Sequence, residues 1–156
     1  MTPAVILLNQ RKLTYQLHEY QHSSSSDSYG AEAVDKLQLP AAQVFKTLVV
    51  QADNEQLFVA IVPVTAQLSL KLMAKVVKAK KVKMALAEDV LRSTGYVLGG
   101  VSPLGQKKKL TTVIDNSAQN YQTVFVSAGK RGLELELSPT ILQQVSQAKF
   151  AAIAAR

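Results

Sequence analysis

The chain has 156 residues, 47% of them hydrophobic and 19% charged, with a formal charge of +7. This suits one domain with a hydrophobic core of its own and excludes a disordered chain. Cysteine is absent, which excludes thiol nucleophiles, zinc–thiolate sites and disulfides together.

Thr2 followed by Pro3 places an N-cap and a proline at the start of a short helix, with Val5, Leu8 and Lys12 as its stripe. TYQLHEY then alternates as a strand. Tyr15 and Leu17 face one way, and Gln16, His18 and Tyr20 the other. HSSSSDS, residues 22–28, reads as a polar loop. Tyr29 to Leu37 reads as a helix that Pro40 prevents from continuing. VFKTLVVQ (44–51) and LFVAIVPV (57–64) are apolar strands joined by a DNEQ turn, the pattern of a sheet centre covered on both faces.

Ser69 caps a helix whose inner stripe is Leu70, Met73, Ala74 and Val77, while Lys71, Lys75 and Lys78 mark its other face. A short VKMA segment and a helix over Leu86–Thr94 follow, with Gly95 as C-terminal cap. LTTVID is a strand. YQTVFV and LELEL form a hairpin around SAGKRG, with Leu133, Leu135 and Leu137 inward and Glu134 and Glu136 outward. Ser138 and Pro139 open a last helix carrying Ile141, Leu142, Val145 and Ala148. Interleaved helices and strands with a late hairpin predict one α+β domain with a mixed sheet.

Lys46 is the anomaly. Period two sets its ammonium on a strand face with Val44, Leu48 and Val50, where it must snorkel out, pair with an anion or stand in a pocket wall. LGGVSPLGQKKK (98–109) has glycines that let backbone approach a ligand, and SAGKRG (127–132) offers free N–H groups and two cations to an oxyanion. Each also fits an ordinary structural turn. His18 and His22 have the i,i+4 spacing of a helical metal pair but lie in a strand and loop, so no metal is expected. The positive charge points to a polyanion such as nucleic acid, with Lys71, Lys75, Lys78, Lys107, Lys108 and Lys109 available to phosphates. No apolar stretch approaches the roughly 20 residues of a membrane span, and no secretory pattern opens the chain, so a cytoplasmic protein is expected.

FKTLVV, STGYVLGGVSPLGQKKK and VFVSAGKRGLELELSP, in this order and spacing, resemble the YbaK/EbsC family. The likeness runs over essentially the whole chain, 1–156, read as one editing domain. Within that family the chain resembles the free-standing bacterial Cys-tRNA(Pro) deacylases, relatives of the editing domain inserted in bacterial prolyl-tRNA synthetase. The resemblance implies helices around a curved, barrel-like mixed sheet, and hydrolytic removal of cysteine mischarged onto proline tRNA. It implies Lys46 as the catalytic residue, with Thr47 beside it. Gly99, Gly100 and Ser102 correspond to the family's glycine loop, and Ser127, Gly129 and Lys130 to its second loop. Tyr20 and Tyr29 correspond to pocket-edge aromatics, and Glu134 falls where some relatives carry Asp. It implies no cofactor, attack by the substrate's own thiol on its ester, and a transient complex with prolyl-tRNA synthetase and the mischarged tRNA. Two other readings keep the same basic surface: a non-catalytic RNA-binding module, and a deacylase for another small amino acid such as alanine.

Overall fold

The computed structural model describes residues 1–23 and 29–155, with Tyr29 described in its backbone only. In chain order the elements are α1 (Pro3–Gln10), β1 (Gln16–Glu19), α2 (Tyr29–Leu37), β2 (Phe45–Ala52), β3 (Leu57–Pro63), β4 (Gln67–Leu68) and α3 (Leu70–Val77). There follow β5 (Val82–Met84), α4 (Ala87–Thr94), β6 (Thr111–Asp115), β7 (Val124–Ser127), β8 (Leu133–Leu137), α5 (Pro139–Ser146), β9 (Lys149–Ala151) and β10 (Ala154–Ala155). Most of the expected loop at 22–28 lies outside the described residues.

The helix starts follow from local chemistry. The hydroxyls of Thr2, Ser69 and Ser138 accept the N–H groups of Val5, Leu72 and Ile141, satisfying donors that a first turn leaves orphaned. Gly95, at φ 85°, closes α4 in the left-handed region. Helix α1 stops before Lys12, which itself adopts φ 56°, so the expected stripe is cut short by two residues.

Five strands form a mixed sheet in the order β5-β2-β3-β6-β9; β1-β8-β7 and β10-β4 form two smaller sheets. Strand β3 is central and buried from Phe58 to Pro63, which explains its unbroken apolar run. On one side, Met73 and Ala74 of α3 cover Val50, Ala52, Phe58 and Ala60. On the other, Phe45, Val59 and Ile61 pack with Leu8 of α1, Leu135 of β8 and Leu142 of α5. A parallel bridge between Val44 and Phe125 links the five-stranded sheet to β7. The α+β class is as expected, and none of the three sheets closes on itself as a barrel.

Strands β4, β9 and β10 have no counterpart in the sequence reading. Asp115, fully buried at the end of β6, helps to place the last of them. Its Oδ1 accepts the N–H groups of Ile153 and Ala154, both at 3.0 Å, and its Oδ2 accepts the Ser117 hydroxyl at 2.5 Å. This fixes the chain end so that Ala154 pairs with Leu68. No helix among the described residues is long and apolar enough to cross a membrane.

Candidate active site

Strand β2 pairs with β3 from Phe45 to Gln51 on one edge, but β5 covers only Val50–Ala52 on the other. Between the Val44–Phe125 bridge and the hydrogen bond from Ala85 N–H to the Val49 carbonyl, that second edge lies open. A cavity of about 280 Å³ occupies this gap, walled by Phe45, Lys46, Thr47, Val90, Leu98, Gly99, Ser127 and Glu134 among others. The site therefore sits where a central strand runs on past its short neighbour.

Lys46 is half-buried and makes no hydrogen bond or ion pair among the described residues; burial lowers its pKa. Among the described residues the buried Thr47 hydroxyl has no hydrogen-bond partner, and neither does Oε2 of Glu134. Unmet polar groups of this kind are uncommon in a folded interior and suit a site shaped for a polar ligand. The leucines of LELEL point inward as expected, but the other face is not solvent, which corrects the outward placement of Glu134. Glu134 is 5% exposed, stands opposite Ser127 and His18 in the strand register, and is pushed up to about 8 by burial. Glu136, two residues on, has the reverse fate. A hydrogen bond from Thr123 (2.6 Å), aided by His18 at 2.9 Å, outweighs burial and lowers its pKa.

The two glycine-bearing loops abut. A Cβ on Gly100 would lie 3.7 Å from the Lys130 Cα. Gly129 has φ 105°, and a Cβ there would come within 2.4 Å of the Tyr96 ring. That ring is fixed by a 2.6 Å hydrogen bond from its hydroxyl to the Leu104 carbonyl, and burial pushes its pKa to about 12. Gly99 reaches the cavity wall, but Ser102 is fully buried behind the loop, where its hydroxyl accepts the Leu104 N–H. Ser127 lines the cavity; Gly129 and Lys130 do not, and Lys130 is exposed.

Tyr20 is half-buried just past β1, and its N–H donates to the Gly132 carbonyl at 2.9 Å. Burial raises its pKa, with Glu134 and Glu32 adding to the rise against the Gly132 backbone and Arg131. It is thus a neighbour of the cavity rather than part of its wall. Tyr29 opens α2 beside Gly30, which does line the cavity. Lys71, Lys75, Lys78, Lys107, Lys108 and Lys109 are all exposed and outside the wall.

The sequence reading missed a chain of side chains behind Tyr20. Glu32, 4% exposed on α2, accepts from His22 Nδ1 at 2.7 Å and from the Ser23 N–H at 2.8 Å. Arg131 meets His22 Nε2 at 3.1 Å. A guanidinium can only donate, so Nε2 must accept and the ring proton sits on Nδ1, facing Glu32. Burial opposes ionisation of Glu32, yet the Ser23 and His22 hydrogen bonds prevail and lower its pKa. His18 and His22 each face a carboxylate, Glu136 and Glu32, rather than each other.

A family model described as the aminoacyl-tRNA editing domain matches residues 24–145. A protein of Enterococcus faecalis named "Putative Cys-tRNA(Pro)/Cys-tRNA(Cys) deacylase EbsC" is 38% identical over 97% of this chain and 92% of its own length. "Uncharacterized protein YwhH" of Bacillus subtilis is 27% identical over 84% of this chain and 81% of its own. A solved structure described as "a putative trans-editing enzyme for prolyl tRNA synthetase" superposes with a TM-score of 0.87 at 21% identity, over 99% of this chain and 96% of that one. That last likeness is one of fold.

Proposed function

The chain belongs to the aminoacyl-tRNA editing domain family, and from that premise we propose that it is a free-standing deacylase that removes cysteine mischarged onto proline tRNA. The observation that carries this reading is the cavity wall. It joins a half-buried lysine to a buried hydroxyl and a buried carboxyl oxygen that have no hydrogen-bond partner among the described residues. An RNA-binding module has no use for such a cavity. At about 280 Å³ the space falls just below the range of drug-sized pockets and suits a small aminoacyl group.

The chemistry asked of the protein is modest because an aminoacyl ester is already reactive. Orientation and stabilisation of the developing oxyanion are enough. Lys46 supplies the positive charge, strengthened by its partly apolar surroundings. Thr47, Glu134 and the backbone of Gly99 hold the amino and carbonyl groups. The lining residues include neither cysteine nor histidine, and the substrate's own thiol is the nucleophile. Its sulfur bonds to the ester carbon, the carbon–oxygen bond to the tRNA ribose breaks, and the thiol proton passes to the departing ribose oxygen. Water then opens the cyclic thioester to free cysteine. A transient complex with prolyl-tRNA synthetase accounts for selection of the tRNA body, which the small cavity cannot read.

The test is single-turnover deacylation of Cys-, Ser- and Ala-tRNA(Pro) by the wild type and by Lys46→Ala. Cysteine should be released fast and serine slowly, since a hydroxyl is far less nucleophilic at neutral pH. Lys46→Ala should lose about 10²–10³-fold in rate with an unchanged melting temperature. Equal release of serine overturns the thiol step, and full activity of Lys46→Ala overturns the site.

A further inference from the structure

The six lysines expected to meet RNA do not occupy equivalent places relative to the cavity. Lys71 and Lys75 on α3, with Lys80 and Lys81 just before β5, flank one groove whose floor is Leu70, Ala74 and Val82. Lys108 and Lys109 instead border grooves against α1 and α5 and against Arg92 and Leu57. Leu57 lies on β3, separated by β2 from the open β5 edge.

Strand β5 connects the first groove to the cavity. It is the edge strand of its sheet and runs antiparallel to β2, with Val82 opposite Ala52 and Met84 opposite Val50. Each step from Val82 toward Ala85 therefore moves toward Lys46. From Ala52 to Lys46 is six residues of strand, about 20 Å at roughly 3.3 Å per residue, a span that a few nucleotides cover. Met84 and Leu98 stand at the near end. Both line the cavity and remain 46% and 55% exposed, so they present apolar surface at its mouth. On the opposite side of β5, Asp53 and Glu55 balance Lys81 and Lys83, whereas the α3 side carries four lysines and no carboxylate, so the α3 side is the more favourable to phosphate.

We infer that the single-stranded 3′ end of the tRNA runs along the α3 side of β5. The lysines of the α3–β5 groove hold its phosphates, and Met84 and Leu98 seat the terminal adenine so that the ester enters the cavity beside Lys46. The inference rests on the deacylase reading for the identity of the nucleic acid. Charge selects the path, and the continuity of β5 with the cavity sets its direction. An aliphatic pair suits this end of the path because it packs against the flat face of a base without reading its edge.

The experiment uses the full chain and two uncharged acceptor-stem minihelices, one ending in CCA and one lacking the terminal adenosine, with binding measured across a salt series. Wild type should favour the CCA-ended form by about tenfold, the scale of burying one good apolar contact. Met84→Ala/Leu98→Ala should bind both forms alike with its salt slope unchanged, while Met84→Leu should keep the preference. Lys75→Ala/Lys80→Ala/Lys81→Ala should keep the preference and lose about 0.7–0.9 of slope for each phosphate contact removed. These side chains are exposed or border an open groove, so melting temperatures should stay near that of the wild type. Equal binding of the two ends by the wild type, or an unchanged slope in the lysine variant, overturns the path. Hydrolysis of cysteine methyl ester by the same preparations reports on the deacylase reading separately, because that ester has neither phosphate nor base. Loss of hydrolysis with the binding pattern intact refutes the reaction and leaves the path standing.

Discussion

Glu134→Gln should make the protein more stable at alkaline pH and leave it nearly unchanged in acid. Burial lifts the carboxyl from its ordinary 4.5 to about 8, and among the described residues its Oε2 has no partner to offset the loss of water. Between those two values the folded chain binds a proton that the unfolded chain has released. Stability therefore falls as pH rises through the window, by about 1.4 kcal/mol per pH unit. Across the whole window the gap is worth at most about 5 kcal/mol. The residue is too well buried for solvent screening to remove much of that. Glutamine keeps the shape and cannot ionise, so urea unfolding of both proteins from pH 4.5 to 9 isolates the effect as a difference curve. The curve should start near zero and climb in the variant's favour until it levels above pH 8. The same variant should lose deacylation, because its amide cannot match the hydrogen bonding of a carboxyl in the wall. A stability difference that stays flat with pH would refute the reasoning, since it would mean that Glu134 is solvated or paired in the folded chain.

Gly129→Ala should cost at least about 2 kcal/mol in urea unfolding, combining a left-handed backbone penalty with a clash against a Tyr96 ring that its hydrogen bond to Leu104 prevents from yielding. A cost under about 0.5 kcal/mol would mean that the loop rearranges freely. Glu32→Gln should lower stability to urea at pH 7 through loss of charge-assisted bonds to His22 and Ser23. Because the folded pKa of Glu32 is lowered, that cost should shrink as pH falls through the carboxylate range, opposite in sign to the Glu134 effect.

The helix starts could be read from the sequence because their causes are local. A capping hydroxyl at Thr2, Ser69 or Ser138 reaches an N–H three residues on, and no distant partner decides the outcome. Lys46 stood out in the sequence because an ammonium among aliphatic side chains conflicts with its own strand pattern, and it stands half-buried in the cavity wall. The His22–Glu32–Arg131 chain was not legible, since its contacts join residues 10 and 109 positions apart. Ser102 shows the limit of a motif, since its place in the glycine loop does not tell which way its hydroxyl turns.

The LELEL strand separates the two kinds of information most sharply. Period two tells which residues share a face, and it grouped Glu134 with Glu136 correctly. It does not tell what lies over that face, because the covering groups come from other parts of the chain. Over Glu136 stand Thr123 and His18, which hydrogen-bond to the carboxylate and keep it ionised. Over Glu134 stands the cavity left where β5 pairs with β2 only at Val50–Ala52 and stops before Lys46 and Thr47, and none of the described residues meets its Oε2. Two identical side chains on one strand thus acquire opposite shifts, one from hydrogen bonds and one from burial without them. The short β5 leaves the cavity open. Lengthening β5 would pair the open edge of β2 and fill that cavity, so on the proposed reading the shortness of the strand matters as much as Lys46 does.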